Sequence, residues 1–324
     1  LIKMKKVLRF LFWLVVAAVL IFGSAALYIS IKGIPSYETQ KVDLKIEVTP
    51  ERIEHGLKLA QNLCIRCHLN KETNKLSGAQ IVDLPSEFGV AYSANITNDK
   101  EHGIGTYTDG ELAFLLRTGI KRNGKYSPPW MPKFVHASDE DIASIISFLR
   151  SDLSLLQADP TPTKPSEPSF LAKFLCYVAF KPTPYPDQPV IQPDTNNLVA
   201  YGKYLVAGRY ECYPCHSADF RTMNIAEPEK TPGYFGGGNT ITNMEGKGVH
   251  SANLTSDEET GIGKWTLMQF SDAVRLGKRP DGVALRYPME PFPNLTDREV
   301  EAIYTYLRSI PIIKNKVDRN LVEL

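Results

Sequence analysis

An unbroken apolar run from Phe10 to Ile31 follows Lys3, Lys5, Lys6 and Arg9. Its 22 residues, at about 1.5 Å each, reach about 33 Å, enough to cross a bilayer. The basic flank, residues 1–9, is expected on the cytoplasmic side and everything after Lys32 outside. The run exceeds the about 7–15 residues of a signal-peptide core, so an uncleaved anchor over 10–31 is expected. Residues 32–50 read as a polar tether. From 51 to 68, Ile53, Leu57, Leu59, Ala60 and Leu63 recur at helical spacing. Thr108 with Glu111 forms a capping box, predicting a helix through Arg117 that stops at Gly119. Ser138 with Asp141 opens another, striped by Ile142, Ile145, Ile146 and Leu149. Residues 152–198 hold nine prolines and read as a linker, interrupted by an apolar island over 170–180 that predicts a short helix, packed between domains or on the bilayer surface.

The pattern then recurs. Ser93-Ala94-Asn95-Ile96-Thr97 is answered by Ser251-Ala252-Asn253-Leu254-Thr255, an offset of 158. Gly103 to Gly105, Tyr107, Arg117, Gly119, Met131 and Leu149 to Ser151 are answered at the same offset, without a gap, through Ser309. This predicts two domains of one kind, over 51–151 and 199–311, with a tail over 312–324. The run Tyr234 to Gly238 falls where the second copy is longer, and reads as a flexible loop rather than a phosphate cradle.

Each copy begins with the same chemistry. Cys64-Ile65-Arg66-Cys67-His68 recurs as Cys212-Tyr213-Pro214-Cys215-His216, an offset of 148. Two thiols on one turn reach both vinyl groups of one macrocycle, and the histidine that follows becomes the proximal iron ligand. A zinc site would need four clustered ligands, whereas these pairs lie far apart in sequence. A thioredoxin-like pair would need no histidine in both copies. The register selects the other axial ligand, because only Met131 and Met289 are methionine in both copies. Met223, Met244 and Met268 have no methionine counterpart, and His102, His136 and His250 fall on Thr260, Asn294 and Tyr92. Prolines flank both methionines and limit the freedom their loops lose on ordering. Asn95, Arg117, Asn253 and Arg275 are candidates to bind haem propionates, with Tyr107 and Trp265 packed beside the ring, or else a set of caps and ion pairs.

Composition narrows the setting. With 37 basic and 36 acidic residues the net charge is +1, which argues against nucleic-acid binding as the main task. Four of five cysteines belong to the two motifs, so no disulfide framework is available, and Cys176 reads as a buried, inert thiol.

With these motifs, Gly-Ile-Gly, Thr-Tyr-Thr-Asp-Gly-Glu and the Met-Pro loop, residues 51 to 310 resemble the membrane-associated multihaem cytochrome c subunits of periplasmic alcohol, gluconate and sorbitol dehydrogenases. The resemblance implies an all-α protein, with two tandem class I cytochrome c domains after an N-terminal transmembrane helix. It implies two covalently attached haem c groups held by Cys64, Cys67, His68, Met131, Cys212, Cys215, His216 and Met289. The expected task is electron transfer on the periplasmic face of a bacterial inner membrane. The donor would be a membrane dehydrogenase or quinol-oxidising complex, and the acceptor a terminal oxidase or soluble cytochrome. A dihaem enzyme of peroxidase or thiosulfate-oxidising type, with one displaceable axial ligand, is the alternative; a haem-based sensor is the third.

Overall fold

The apolar N-terminal run forms helix α1, Ile2–Lys32, which ends where Gly33 takes a left-handed conformation (φ 72°). This computed structural model describes residues 2–323. Within Met4–Lys32 the most apolar stretch has a mean hydropathy of 2.5 and is exposed rather than packed inside the protein, so α1 is long and apolar enough to span a membrane.

Nine further helices follow among the described residues: α2 Pro50–Leu63, α3 Ile65–His68, α4 Asp109–Thr118, α5 Asp139–Leu149, α6 Phe170–Val178, α7 Leu198–Tyr204, α8 Tyr213–His216, α9 Leu267–Leu276 and α10 Asp297–Ser309. Two short antiparallel pairs complete the fold, β1 Gly89–Val90 with β2 Glu167–Pro168, and β3 Thr240–Thr242 with β4 Gly248–His250. The helix ends lie where local chemistry dictates. Capping boxes open α4 (Thr108, Glu111), α9 (Thr266, Gln269) and α10 (Thr296, Glu299), and left-handed Gly119 and Gly277 close α4 and α9.

The core is built twice in the same way. α2 crosses α5 at Gly56, where a Cβ would overlap the Ser144 carbonyl. α7 crosses α10 at Gly202, where a Cβ would overlap the Ala302 carbonyl. Positions 144 and 302 are the same repeat position, and both pairs bury their apolar stripes in one cluster.

Three stretches differ from the sequence expectation. Residues 32–50 are fastened rather than loose. The Tyr37 N–H donates to the Gly124 carbonyl (2.8 Å), the Ile46 N–H to Asp109 Oδ2 (3.0 Å), and Ile46 is buried. The Pro-rich stretch wraps the first repeat instead of leading away from it. Leu156 is fully buried, the Leu155 carbonyl accepts from the Leu76 N–H (2.8 Å), and the Val190 carbonyl accepts from the Asp139 N–H (2.8 Å). Proline removes donors but leaves every carbonyl available, so such a chain can serve as an acceptor strap. Tyr234–Gly238 is core, not a flexible loop. Phe235 is fully buried, and the Tyr234 hydroxyl lies 3.1 Å from that of Tyr306. The extra length of the second copy lies before this run. Gly78 and Gly237 both donate their N–H to the carbonyl of the motif histidine, ten residues after His68 but twenty-one after His216.

The repeats meet around one buried guanidinium. A five-residue wide turn, Leu205–Arg209, extends α7 and absorbs two residues that α2 lacks between its glycine and its first motif cysteine. Arg209 donates from Nε and Nη2 to Asp141 (2.8 and 3.0 Å) and from Nη1 to Glu299 (3.1 Å). Asp141 and Glu299 are the third residues of α5 and α10, equivalent positions of the two copies. Lys58 Nζ reaches Glu299 (2.5 Å) and His55 Nε2 reaches Asp141 (2.8 Å). Burial alone would raise the Asp141 carboxyl, but hydrogen bonds from His55, Arg209 and Tyr204 and the Arg209 charge hold it down at about 2.

Candidate haem sites

α2 delivers the first motif and then breaks. Cys64 leaves helical geometry (φ −123°, ψ −51°), and the single turn of α3 carries Cys67 and His68. In the second copy Glu211 takes a left-handed turn (φ 47°) and α8 carries Cys215 and His216. None of the five cysteines is paired in a disulfide. Burial pushes the Cys64 thiol up to about 12, and Cys212 likewise.

Both histidines are buried and oriented alike. His68 Nδ1 donates to the Ala94 carbonyl (2.7 Å), and His216 Nδ1 to the Ala252 carbonyl (3.0 Å). Burial lowers the pKa of each below the ordinary histidine value, against the raising effect of that hydrogen bond. With Nδ1–H committed to a carbonyl, the neutral ring presents its Nε2 lone pair, the form a metal takes. The donor set therefore fits covalently attached haem: two protonated thiols on one turn, then an imidazole with its tautomer fixed.

The residues expected at the haem edge hold this arrangement from behind. Asn95 Oδ1 accepts from Thr97 N–H and Oγ1 (2.9 and 2.7 Å), and its Nδ2 donates to the Asp159 and Thr161 carbonyls (2.8 and 3.0 Å). Asn253 repeats the pattern with Thr255, Thr260 and the Ile313 carbonyl. Both amides are saturated within the protein, so they brace the segment that offers Ala94 and Ala252 to the histidines. Arg117 is buried and grips the carbonyls of Phe134, Val135 and Ala137 (2.9, 3.0 and 2.6 Å) and the Asp139 carboxylate (2.6 Å). This fastens the loop leaving Met131 to the start of α5. Arg275 pairs with Asp297 (2.7 Å), and its buried Nε has no protein partner. The Tyr107 ring lies under the Arg122 guanidinium (4.8 Å), and the Trp265 carbonyl accepts from the Tyr304 hydroxyl (2.6 Å).

Met131 and Met289 share a backbone frame. Their N–H groups donate to the Pro128 and Arg286 carbonyls (3.1 and 2.9 Å), and three residues on, Phe134 and Phe292 donate to Leu116 and Val274 (2.9 and 2.7 Å). The first loop has a lysine clamp that the second lacks. Lys133 Nζ donates to the Pro128 and Met131 carbonyls (2.7 and 2.6 Å), whereas Pro291 stands at the equivalent position.

Reading the motifs alone missed the contacts that join the two sites. Arg66, between the first pair of cysteines, donates to the Pro288 carbonyl beside Met289 (3.2 Å) and to the Tyr287 hydroxyl (2.8 Å). Its guanidinium lies over the Tyr287 ring (4.7 Å) and pairs with Asp83 (2.5 Å). Burial pushes the Glu211 carboxyl, next to Cys212, up and the Lys133 ammonium, two residues after Met131, down, each opposed by the other's charge. The attachment turn of the first site thus touches the methionine loop of the second.

The chain is similar to the cytochrome c subunit of the quinone-dependent alcohol dehydrogenase of Gluconobacter oxydans, with 29% identity over 77% of this chain and 52% of that protein. It is similar to the fructose dehydrogenase cytochrome subunit of Gluconobacter japonicus, with 27% identity over 79% of this chain and 52% of that one. A diheme cytochrome c-type protein of Cereibacter sphaeroides matches at 24% identity over 78% of this chain and 83% of its own length. The chain spans about half the length of the dehydrogenase subunits it matches. No protein-family model matches it.

Proposed function

We propose that the chain is a membrane-tethered dihaem c-type cytochrome, two tandem cytochrome c domains behind one transmembrane helix. On this reading it passes electrons on the periplasmic face from a membrane dehydrogenase or quinol-oxidising complex to an acceptor such as a terminal oxidase or soluble cytochrome. One observation carries the reading: each Cys-x-x-Cys-His turn presents a buried histidine whose Nδ1 is committed to a carbonyl at the same repeat position. The similarity to cytochrome c subunits of dehydrogenases supports it independently.

Haem iron, when bound, supplies one-electron exchange between ferric and ferrous states. The protein's part is to keep that exchange free of rearrangement. Cys64, Cys67, Cys212 and Cys215 would hold the macrocycles covalently. His68 and His216, each in a set tautomer, would hold the irons, and Met131 and Met289 would complete the donor set from loops fastened by Arg117, Lys133 and the Phe134 and Phe292 N–H bonds. The Arg66–Tyr287 junction keeps the first attachment turn against the second methionine loop, which would hold two bound haems at a fixed separation. The anchor confines the carrier near membrane partners and raises its effective concentration there.

The test is haem stoichiometry of the membrane-extracted protein together with its response to carbon monoxide. Two covalently bound haems per chain, neither binding carbon monoxide rapidly, is the expected result. One haem or none overturns the dihaem reading. One feature favours the second reading, a dihaem enzyme: the Met289 loop lacks the lysine clamp of its counterpart. Rapid, stoichiometric binding at one haem would select that reading over the pure carrier.

A further inference from the structure

We propose that α6 is a second membrane contact, lying in the interfacial layer of the bilayer that α1 crosses, and that it sets the first haem site next to the membrane. The proposal rests on the anchor reading of α1. Along Phe170–Val178 the sequence FLAKFLCYV has a single charge. A helix apolar all round is normally buried all round. Here only one face is: Ala172 and Cys176 are fully buried against the first repeat. The opposite face leaves Phe170 47%, Leu171 42%, Phe174 40% and Val178 56% exposed, with the Phe170 and Phe174 rings stacked at 6.3 Å. At 100° per residue these four share an arc of about 100°, an apolar stripe of the width a membrane-lying helix presents.

The occupant is chosen by what adjoins this face. Tyr177 of α6 packs edge-on against Tyr28, in the last turns of α1 (6.2 Å). That end of α1 lies where the span would leave the hydrocarbon, the depth at which tyrosine is favoured. The exposed stripe therefore continues the lipid-facing surface of α1. Lys181 follows the helix with its Nζ on the Tyr177 carbonyl, and Lys32 closes α1, which would set both ammonium groups at headgroup level.

The buried face of α6 leads to the first site. The Cys176 carbonyl accepts from the Tyr37 hydroxyl (3.5 Å), and the Lys181 carbonyl, just past the helix, accepts from the Tyr126 hydroxyl (3.1 Å). Lys133 Nζ lies over the Tyr126 ring (5.0 Å) and holds the Met131 carbonyl. With α6 on the bilayer, the Met131 loop lies directly behind it.

The test uses the full-length holoprotein in phosphatidylcholine–phosphatidylglycerol vesicles that contain a lipid with an acyl-chain diazirine. After photolysis, lipid adducts are mapped by mass spectrometry. Adducts on both α1 and the peptide carrying Phe170–Val178 are expected, with loss of the latter in a Phe170→Ser/Phe174→Ser/Val178→Ser variant that retains its haems and its α1 adducts. Adducts on α1 but none on 170–178 overturn the proposal and leave the anchor reading intact. Adducts on neither overturn both. Protein–protein cross-links at 170–178 in place of lipid would show that another chain covers the stripe, and would also overturn it.

Discussion

Replacing Arg209 with methionine tests how far its buried guanidinium holds the two repeats together. Arg209 is 3% exposed and donates three hydrogen bonds to Asp141 and Glu299, both of which are also buried. Removing one member of a buried ion pair costs about 3–5 kcal/mol, chiefly because the partner is left as an uncompensated charge. Here each carboxylate retains another partner, His55 and Tyr204 for Asp141 and Lys58 for Glu299. The cost therefore falls near the lower bound, about 3 kcal/mol. Adding Asp141→Asn and Glu299→Gln removes the charges that Arg209 neutralises, so the triple variant should recover part of the loss. The assay is guanidinium unfolding followed by far-ultraviolet circular dichroism and by the Soret band. The reasoning is refuted if R209M is within about 1 kcal/mol of the parent, or if the carboxamide substitutions add to its cost instead of offsetting it. A second readout is interhaem electron transfer after rapid partial reduction. It should slow in R209M, because loosening the interface also frees the Arg66–Tyr287 junction.

Three further outcomes follow from the same geometry. Gly56→Ala places a Cβ on the Ser144 carbonyl and must spread α2 from α5, costing about 1–3 kcal/mol and lowering Tm, with Gly202→Ala doing the same between α7 and α10; unchanged melting in both would refute the close-crossing account. Asp141 titrates at about 2 in the folded protein, below its ordinary value of 3.8, so it contributes stability that is complete above pH 4 and lost as pH falls through the folded value. Unfolding free energy measured from pH 5 to 2 should drop by roughly 2 kcal/mol more in the parent than in D141N, and parallel profiles would refute it. Met131→Leu should lower the potential of one haem and Met289→Leu that of the other, because loss of a methionine ligand lowers the potential; a redox titration in which either variant leaves both potentials unchanged would remove that methionine from the axial role.

What could be read from the sequence was what is local. A capping box spans four residues and a left-handed glycine one, so the starts of α4 and α10 and the stops of α4 and α9 are written where they occur. The haem motifs are equally local, and the register between copies singled out Met131 and Met289. The straps were not legible, for a definite reason. Residues 32–50 and 152–198 look unstructured because they lack helical periodicity and, in the second case, free N–H groups. The first donates the Tyr37 and Ile46 N–H groups and the second offers carbonyls, such as those of Asp159, Thr161 and Val190, to partners far along the chain. No pattern within such a segment records who its partners are. Tyr234–Gly238 misled for the converse reason: glycine suggested mobility, whereas left-handed Gly237 is what lets its N–H reach the His216 carbonyl.

Arg209 was hidden by the repeat itself. Asp141 and Glu299 occupy one repeat position, so the fold brings two buried acids together. Lys58 and His55 approach them from α2. The guanidinium that bonds both comes from the second copy alone, which has two additional residues before Cys212, the wide turn that ends in Arg209. An offset of 146 between Gly56 and Gly202, against 148 between the motif cysteines, is the only trace of this in the sequence. It becomes visible only once both glycines are known to mark the same helix crossing. The departure from perfect repetition is therefore part of what joins the repeats, and residues that lack a counterpart are the ones to examine first at such an interface.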